Sequence, residues 1–406
     1  GIEFYYDQLL KGPHINFTVF TDALGNSFSA KPEPSANNRG HDLILTIDSN
    51  IQYITERALQ EALDQYSALS ALAIVMQPRT GAILSIAHCP HINPNAYSDS
   101  DKSLWRNRAI TDSFEPGSTM KIFSAAAALE YGESTPSSIF YCENGAYQIG
   151  KNVVHDIHKR GWLSLQNIIK FSSNIGAVKI GEKVGAKNLY RALRNFGFGR
   201  KTGIDSPGET PGSLANYTSW SKMDTGAISF GHGVSVSAIQ MVTAVSAIAN
   251  DGILMKPDIV QQIVNQNGHP VRRFNPQKVR RAISARTAKI VKNIMKTVVT
   301  EGGTGVNAAL EGYSVGGKTG TSRKLDKNGQ YSDNRHTASF IGFTPADNPE
   351  IAIIVVIDEP KGQYYGGIVA APVFKQIAQQ TLNYLNVPPD GGTTKFRVFL
   401  GSEAQG

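Results

Sequence analysis

The chain of 406 residues contains very little cysteine and no long apolar run. Cys89 and Cys142 are its only cysteines, and two thiols so far apart form neither a disulfide framework nor a CxxC metal or redox motif. No uninterrupted apolar stretch reaches the length of a membrane span, and no secretory signal opens the chain. Residues 1–6 begin in mid-pattern, so we expect this sequence to be a piece of a longer protein, and absence of an anchor here does not mean absence in the cell.

The sequence also lacks a concentrated charge of either sign. The formal net charge is +7, and charged residues make up 18% of the chain, with no Lys/Arg block of the kind that forms a nucleic-acid-binding arm. We found no internal repeat and no low-complexity tract. Hydrophobic residues make up 41% of the chain, and the length is enough for one large domain and a small appendage, or for two domains. We therefore expect a globular protein that does not bind nucleic acid.

The order of strand-like and helix-like patterns predicts the fold class. Early apolar runs predict strands, a helix follows an N-cap at Asp48-Ser49, and a Pro- and Gly-containing turn joins two of the strands. Helical periodicity then dominates from about residue 115 to 250, before strands return and a last helix closes the domain at 370–385. The predicted strands are 43–47, 71–76, 82–87, 313–321, 337–343 and 351–357.

This order favours an α/β (α+β) fold. The compact solution joins the early hairpin and the late strands in one antiparallel sheet, flanked by the first and last helices, with the long insert as a separate helical lobe. A cleft is expected where the lobe meets the sheet. The polar stretch at 322–336, between two predicted strands, is expected to form a mobile loop over that cleft.

The first of three short motifs is S-x-x-K at Ser118 and Lys121, at the predicted start of a helix. Backbone N–H groups there have no helical partner, and the positive end of the helix dipole faces the serine. Lys121 lies on the same helical face, within reach of the Ser118 hydroxyl. A partly desolvated lysine has a lowered pKa and can accept the proton of a serine nucleophile. Taken alone, an N-cap serine and a solvated lysine explain the same spacing.

The second motif is S-x-N at Ser172 and Asn174, between two segments of helical pattern. Ser172 in this position can relay a proton between Lys121 and a leaving amine, and the Asn174 side chain can hydrogen-bond a peptide substrate. Serine and asparagine also favour breaks between helices because they cap them locally. This motif is therefore a weak indication by itself.

The third motif is Lys318-Thr319-Gly320-Thr321, on a predicted strand. Gly320 lets a ligand backbone approach the strand closely, Lys318 adds positive charge, and the hydroxyls of Thr319 and Thr321 can bind a carboxylate. The backbone N–H groups of Ser118 and Thr321 are predicted to form an oxyanion hole. The alternative for this stretch is a strand with a glycine bulge.

The three motifs together, in this order, are typical of penicillin-binding proteins and β-lactamases. From about residue 41 to 385 the chain resembles a class B penicillin-binding protein. The likeness includes TGAIL at 80–84, FEPGSTMK at 114–121, EGGTG at 301–305, GGKTGT at 316–321 and YGG at 365–367. Two further stretches, SFGHGVSV at 229–236 and VIDEP at 356–360, resemble the septal, cell-division branch more than the elongation branch.

The resemblance implies a penicillin-binding/β-lactamase-like transpeptidase fold and a division of the chain into three parts. Residues 1–40 resemble the end of a pedestal domain followed by a linker. Residues 41–387 correspond to the penicillin-binding transpeptidase domain, and 388–406 to a flexible C-terminal tail. Such proteins work on the periplasmic, extracytoplasmic side of the inner membrane, within the bacterial cell envelope, and carry a single-pass anchor.

The resemblance also implies an activity. Ser118 attacks the D-Ala-D-Ala carbonyl of one stem peptide, the terminal D-Ala leaves, and an amine of a neighbouring stem resolves the acyl-enzyme. β-Lactams are expected to acylate Ser118 as substrate mimics, and neither a metal nor an organic cofactor is expected. A membrane glycosyltransferase and divisome proteins are the implied partners. The implied catalytic residues are Ser118, Lys121, Ser172, Asn174 and Lys318, and the implied substrate-binding residues are Thr319, Gly320 and Thr321.

Several alternatives stay open on the sequence alone. A D,D-carboxypeptidase or a β-lactamase on the same scaffold would let water resolve the acyl-enzyme, although the length of the chain disfavours a β-lactamase. An elongation-type transpeptidase would share every motif. A non-catalytic β-lactam sensor or divisome scaffold would keep the fold without turnover, and the intact motif residues argue against it.

Overall fold

The computed structural model describes residues 1–12, 22–24, 39–99, 101–326 and 328–390. Parts of the predicted N-terminal remnant and C-terminal tail, 13–21, 25–38 and 391–406, lie outside the described residues. The strands are β1 (Asp42–Leu45), β2 (Ser70–Met76), β3 (Ile83–Cys89), β4 (Ile139–Tyr141), β5 (Ala146–Ile149), β6 (Asn152–His155), β7 (Trp162–Ser164), β8 (Ile253–Met255), β9 (Val260–Val264), β10 (Pro270–Arg273), β11 (Lys278–Arg281), β12 (Gly316–Leu325), β13 (Tyr331–Thr344) and β14 (Ile351–Asp358).

Helices account for most of the remaining ordered backbone in these ranges. The α-helices are α1 (Ile2–Tyr5), α2 (Asp7–Leu10), α3 (Ser49–Tyr66), α4 (Arg108–Thr111), α5 (Lys121–Tyr131), α6 (Leu165–Phe171), α7 (Asn174–Val184), α8 (Ala186–Asn195), α9 (Lys222–Ser229), α10 (Ala238–Ala249), α11 (Ala285–Val299), α12 (Gly366–Val369) and α13 (Ala371–Tyr384). Short 3-10 helices include Gly117–Met120 and Val306–Ala308. Within the described ranges, no helix has the length and apolar character needed to cross a membrane.

A five-stranded antiparallel sheet in the order β12-β13-β14-β2-β3 forms the centre of the fold. The register brings Val355 of β14 beside Ala73 of β2, and Lys318 of β12 beside Ile341 of β13. The early hairpin and the late strands therefore lie in one sheet, which confirms the predicted fold class. β14 is buried along its whole length because helices cover both faces of the sheet.

Alternating residues of the sheet enter two separate apolar cores. Val75 and Val355 face the core that contains α3 and α13. Ile74 and Ile354 face the opposite core, which contains α5, α10 and α11. The predicted first helix begins as expected, because the Asp48 carboxylate accepts hydrogen bonds from the first backbone N–H groups of α3.

The inserted lobe packs around α5, whose alanine-rich sequence lets neighbouring helices approach closely. Lys121 and the seven residues that follow it are all buried, and α5 contacts α7, α8 and α11. The lobe is less uniformly helical than predicted, since two small two-stranded sheets, β4 with β7 and β5 with β6, lie within it. These strands are only three or four residues long, too short to produce a clear alternation in the sequence.

The expected loop at 322–336 is instead largely a β-hairpin. β12 continues to Leu325 and β13 begins at Tyr331, with Arg323 opposite His336. The prediction was wrong because this outer part of the hairpin is mostly exposed and polar, so no apolar alternation marks it. Residue 327, within the turn, lies outside the described residues.

Candidate active site

Ser118 lies in the 3-10 turn Gly117–Met120, which leads directly into α5. Gly117 has a φ of +52°, and a Cβ atom there would lie 2.9 Å from the Thr321 carbonyl oxygen. The Gly117 N–H donates to the Gly231 carbonyl oxygen at 3.1 Å. Glycine at 117 therefore allows the serine-bearing turn to sit tightly between strand β12 and the segment around residue 231.

Lys121 is fully buried and points its amine at the serine hydroxyl. Its Nζ lies 2.9 Å from Ser118 Oγ, 2.7 Å from the Ser172 carbonyl oxygen and 2.7 Å from Asn174 Oδ1. Burial lowers the pKa of Lys121 to about 7, although the charge of Asp156 opposes the shift. Both carbonyl oxygens can only accept hydrogen bonds. A neutral amine therefore satisfies them with its two N–H groups and keeps its lone pair for the Ser118 proton.

Ser172 joins the two buried lysines. It ends α6 in a left-handed conformation with φ of 61°, which places its Oγ 3.2 Å from Lys121 Nζ and 2.9 Å from Lys318 Nζ. Burial and the nearby Lys121 lower the pKa of Lys318 well below its ordinary value. Two ammonium groups on one hydroxyl would repel each other in this buried site. The arrangement therefore favours at most one charged amine at a time and supplies a hydroxyl able to pass a proton between the two lysines.

The hydroxyls of the third motif face the same region. Thr319 Oγ1 lies 3.3 Å from Lys318 Nζ and 3.0 Å from Thr304 Oγ1. Thr321 Oγ1 accepts a hydrogen bond from the Gly366 N–H at 3.1 Å, so its own proton remains available to a ligand. At Gly320, a Cβ atom would lie 2.3 Å from Ser339 Oγ and 2.9 Å from Thr119 Cγ2. Glycine at 320 therefore allows the side chains of Ser339 and Thr119 to pack against the strand, where a Cβ atom would clash with them.

Asp156, which the sequence analysis did not identify, holds the second motif in place. Its carboxylate accepts hydrogen bonds from Ser173 Oγ at 2.5 Å and from the backbone N–H groups of Asn174 and Ile175 at 2.5 and 3.1 Å. These groups form the N-terminus of α7, where a negative charge is stabilised by the helix dipole. No local pattern marks this residue, because it reaches α7 from the segment after β6.

A second cluster missed by the sequence analysis ties the β12–β13 hairpin to the serine-bearing turn. Tyr331 Oη donates to the Glu115 carboxylate at 3.0 Å and lies 3.2 Å from His232 Nδ1. Burial and the adjacent Glu115 raise the pKa of Tyr331 to about 12. Burial lowers the pKa of His232, although Glu115 opposes the shift. The cluster therefore links three segments that are far apart in sequence. One of them, at Glu115, comes immediately before the turn that carries Ser118.

These groups open onto one cavity of about 540 Å³. Five of the eight predicted site residues line it, and the buried amines of Lys121 and Lys318 contact the hydroxyls of these residues. Within the described residues, no group of three or more His, Cys, Asp or Glu side chains is placed to hold a metal. The cavity lining includes Ser118, Asp156, His158, Arg160, Phe171, Ser172, Asn174, His232, Thr304, Thr319, Thr321, Tyr365 and Gly366.

Comparison with protein families matches residues 71–379 to the penicillin binding protein transpeptidase domain. The chain belongs to this family. It is 36% identical over 392 residues to a probable peptidoglycan D,D-transpeptidase PenA of Neisseria flavescens, covering 96% of this chain and 94% of that protein. The peptidoglycan D,D-transpeptidase FtsI of Escherichia coli is 32% identical over 395 residues, which is 97% of this chain and 65% of that protein. The chain thus spans slightly less than two thirds of FtsI.

Solved structures agree with this assignment. The apo transpeptidase domain of penicillin-binding protein 3 from Burkholderia pseudomallei is 36% identical, with a TM-score of 0.75 over 85% of this chain and 97% of that one. Penicillin-binding protein 3 from Mycobacterium tuberculosis, complexed with ampicillin, is 31% identical, with a TM-score of 0.81 over 87% of this chain and 81% of that one. The class B resemblance drawn from the motifs is therefore confirmed.

Proposed function

We propose that this protein is a peptidoglycan D,D-transpeptidase that works through an acyl-enzyme on Ser118. One observation carries the proposal: the buried Lys121 amine, with its pKa lowered to about 7, lies 2.9 Å from Ser118 Oγ. A general base is most effective when its pKa lies near the operating pH. The D,D-transpeptidase names of similar proteins in Neisseria flavescens and Escherichia coli support the same reaction.

Acylation begins with proton transfer from Ser118 Oγ to Lys121 Nζ as the serine attacks the carbonyl of the penultimate D-Ala. The backbone N–H groups of Ser118 and Thr321 stabilise the negative charge on the carbonyl oxygen. Ser172, in contact with both lysines, passes the proton to the nitrogen of the departing D-Ala. The new C–O bond to Ser118 Oγ stays, the peptide C–N bond breaks, and the terminal D-Ala leaves as a free amino acid. The product is an ester on Ser118.

The remaining motif residues hold the donor peptide. Lys318 and the hydroxyls of Thr319 and Thr321 bind the terminal carboxylate, because they offer positive charge and protons on one strand. Asn174 uses its oxygen on Lys121 and one N–H on the His155 carbonyl oxygen. Its second amide N–H is thus left to donate to a carbonyl oxygen of the peptide. In the second half-reaction, an amine of a neighbouring stem attacks the ester and regenerates the Ser118 hydroxyl.

The biological setting of the proposal is septal wall synthesis on the extracytoplasmic face of the membrane, together with a membrane glycosyltransferase and divisome proteins. The stretches at 229–236 and 356–360 support the septal branch. Expression of the full-length protein in cells depleted of their septal transpeptidase tests this part. Restored division supports the septal role, whereas rescue only of cells depleted of the elongation enzyme overturns it.

Intact-protein mass spectrometry after incubation with benzylpenicillin tests the catalytic proposal. A stoichiometric adduct that maps to Ser118 and is absent from Ser118→Ala is expected. No adduct on the folded wild-type protein would overturn the proposal and favour a non-catalytic scaffold.

A second assay separates the transpeptidase from a carboxypeptidase. A thioester or peptide donor ending in D-Ala is incubated with and without a D-amino acid acceptor. A transpeptidase partitions the acyl group to the acceptor amine. Release of the hydrolysed product alone, at every acceptor concentration, would assign a carboxypeptidase.

A further inference from the structure

The wall of the cavity contains a cation that the mechanism above does not use. Arg160 lies in the connection between β6 and β7, and its Cζ is 3.9 Å from the centroid of the Phe171 ring. Phe171 is the last residue of α6, directly before Ser172. Both Arg160 and Phe171 line the cavity, so the guanidinium is positioned next to the catalytic groups.

Within the part of the chain that the structure describes, no acidic side chain forms an ion pair with the guanidinium of Arg160. Among the residues that the structure describes, none forms a hydrogen bond or ion pair with it, and the Phe171 ring is its one defined contact. The Asp156 carboxylate, which lines the same cavity, already accepts hydrogen bonds from three donors at the start of α7. Stacking on an aromatic ring fixes the plane of a guanidinium without using its five N–H donors.

Arg160 also differs from every other described side chain in the cavity lining, because it alone carries a permanent positive charge. A planar guanidinium with unused donors matches a carboxylate in bidentate geometry. The terminal carboxylate of the donor is already accounted for by Lys318, Thr319 and Thr321. The cavity, of about 540 Å³, has room for more of a peptide than a D-Ala-D-Ala end.

We propose that Arg160, held by Phe171, is an anion subsite that binds an internal carboxylate of a stem peptide, separate from the D-Ala terminus. This inference rests on the proposed function, since it names a feature of the substrate for that same site. Either the donor stem or the acceptor stem can supply the carboxylate, and the turnover experiment below distinguishes the two. The ligand class is an acidic peptide, and its amidated form is the natural negative control.

Binding to an inactive protein tests the subsite without depending on turnover. Two synthetic stem pentapeptides ending in D-Ala-D-Ala are compared by titration calorimetry, one with a free internal carboxylate and one with the corresponding carboxamide. In the Ser118→Ala background, Arg160→Ala is expected to weaken the acidic peptide about tenfold and to leave the amide peptide unchanged. Arg160→Lys should give an intermediate loss, because it keeps the charge and loses the planar fork.

Turnover then identifies which stem supplies the carboxylate. With a fixed acceptor, the acid and amide donors are compared for kcat/KM. With a fixed donor, acid and amide acceptors are compared for the rate of aminolysis. A selective loss with Arg160→Ala in either arm supports the subsite and assigns it to that stem.

Two controls keep the test specific. Arg191, on the exposed surface of α8 and with its Cζ 5.1 Å from the Tyr131 ring centroid, provides a matched variant, Arg191→Ala, that should change neither peptide's affinity. Arg191→Ala should also be acylated by benzylpenicillin at the wild-type rate. Equal losses for acid and amide peptides, or no loss for either, would overturn the subsite even if Ser118 is acylated normally. A wild-type protein that is never acylated would instead overturn the proposed function.

Discussion

The buried amine of Lys121 makes a sharp prediction about how acylation of Ser118 depends on pH. Only the neutral amine can accept the serine proton. Because burial lowers the pKa of Lys121 to about 7, the protonated, inactive form dominates below neutral pH, and the neutral form dominates above it. The acylation rate should therefore rise with pH through an inflection near 7 and then reach a plateau.

The change in the neutral fraction with pH distinguishes Lys121 from a lysine with an ordinary pKa. With a pKa of about 7, the neutral fraction falls about 50-fold from pH 7 to pH 5 and rises only about twofold from pH 7 to pH 9. An amine at its usual value of 10.5 would instead gain roughly 100-fold between pH 7 and pH 9. The range above neutral pH is thus the decisive one.

Stopped-flow acylation with a chromogenic cephalosporin between pH 5 and 9 measures the profile, with circular dichroism at each pH to show that the protein stays folded. Lys318→Gln serves as the control for the second lysine. It should lower the rate and keep the inflection, because burial is the main cause of the Lys121 shift. A rate that climbs tenfold per pH unit through pH 9, or a flat profile, would refute the reasoning.

Three further substitutions test the supports of the site. Tyr331→Phe removes the hydroxyl that donates a hydrogen bond to Glu115. It should lower the free energy of unfolding by about 1 kcal/mol in urea titrations and slow the acylation of Ser118. Unchanged acylation would show that the hairpin does not position Ser118. Asp156→Asn removes the charge at the start of α7 and should cost about 1–2 kcal/mol by the same assay; a stability equal to wild type would contradict the capping role. Gly366→Ala places a Cβ 2.3 Å from two backbone oxygens and should lower stability by roughly 1–3 kcal/mol. In the matched Gly161→Ala, the nearest atom is 3.4 Å away and thermal denaturation should change little; equal losses would argue against the steric explanation.

The parts of the site that the sequence predicts are those fixed by short spacing. Ser118 and Lys121 lie one helical turn apart, so their contact follows from the local backbone alone. The break between two helices at Ser172 is likewise predicted from neighbouring residues. The meeting of Lys121, Ser172 and Lys318 required the motif set as a whole, because residues so far apart in sequence are brought together only by tertiary packing.

The parts that were missed depend on contacts between distant segments with no local signature. Asp156 caps a helix that begins 18 residues later, across β7 and α6, and a lone aspartate in a polar loop carries no such information. Tyr331 falls in the stretch expected to be a loop. An exposed, polar pair of strands is stabilised by cross-strand hydrogen bonds rather than by a buried apolar face, so no pattern in the sequence predicts it. The contact of Tyr331 with Glu115 depends on the register of that hairpin.

Burial of the Lys121 amine lowers the stability of the native fold. An amine whose pKa falls from 10.5 to about 7 destabilises the native state at pH 7 by roughly 4 kcal/mol relative to an exposed lysine. The unfolded chain binds more protons than the native one between these pKa values, so this contribution is largest below pH 7 and disappears as the pH rises past 10.5. Apolar replacement of Lys121 would remove it, but would leave the Ser172 and Asn174 carbonyl oxygens without their buried donor. The two apolar cores on either side of the sheet must therefore supply the stability, which explains why a buried lysine can begin a helix with eight consecutive buried residues.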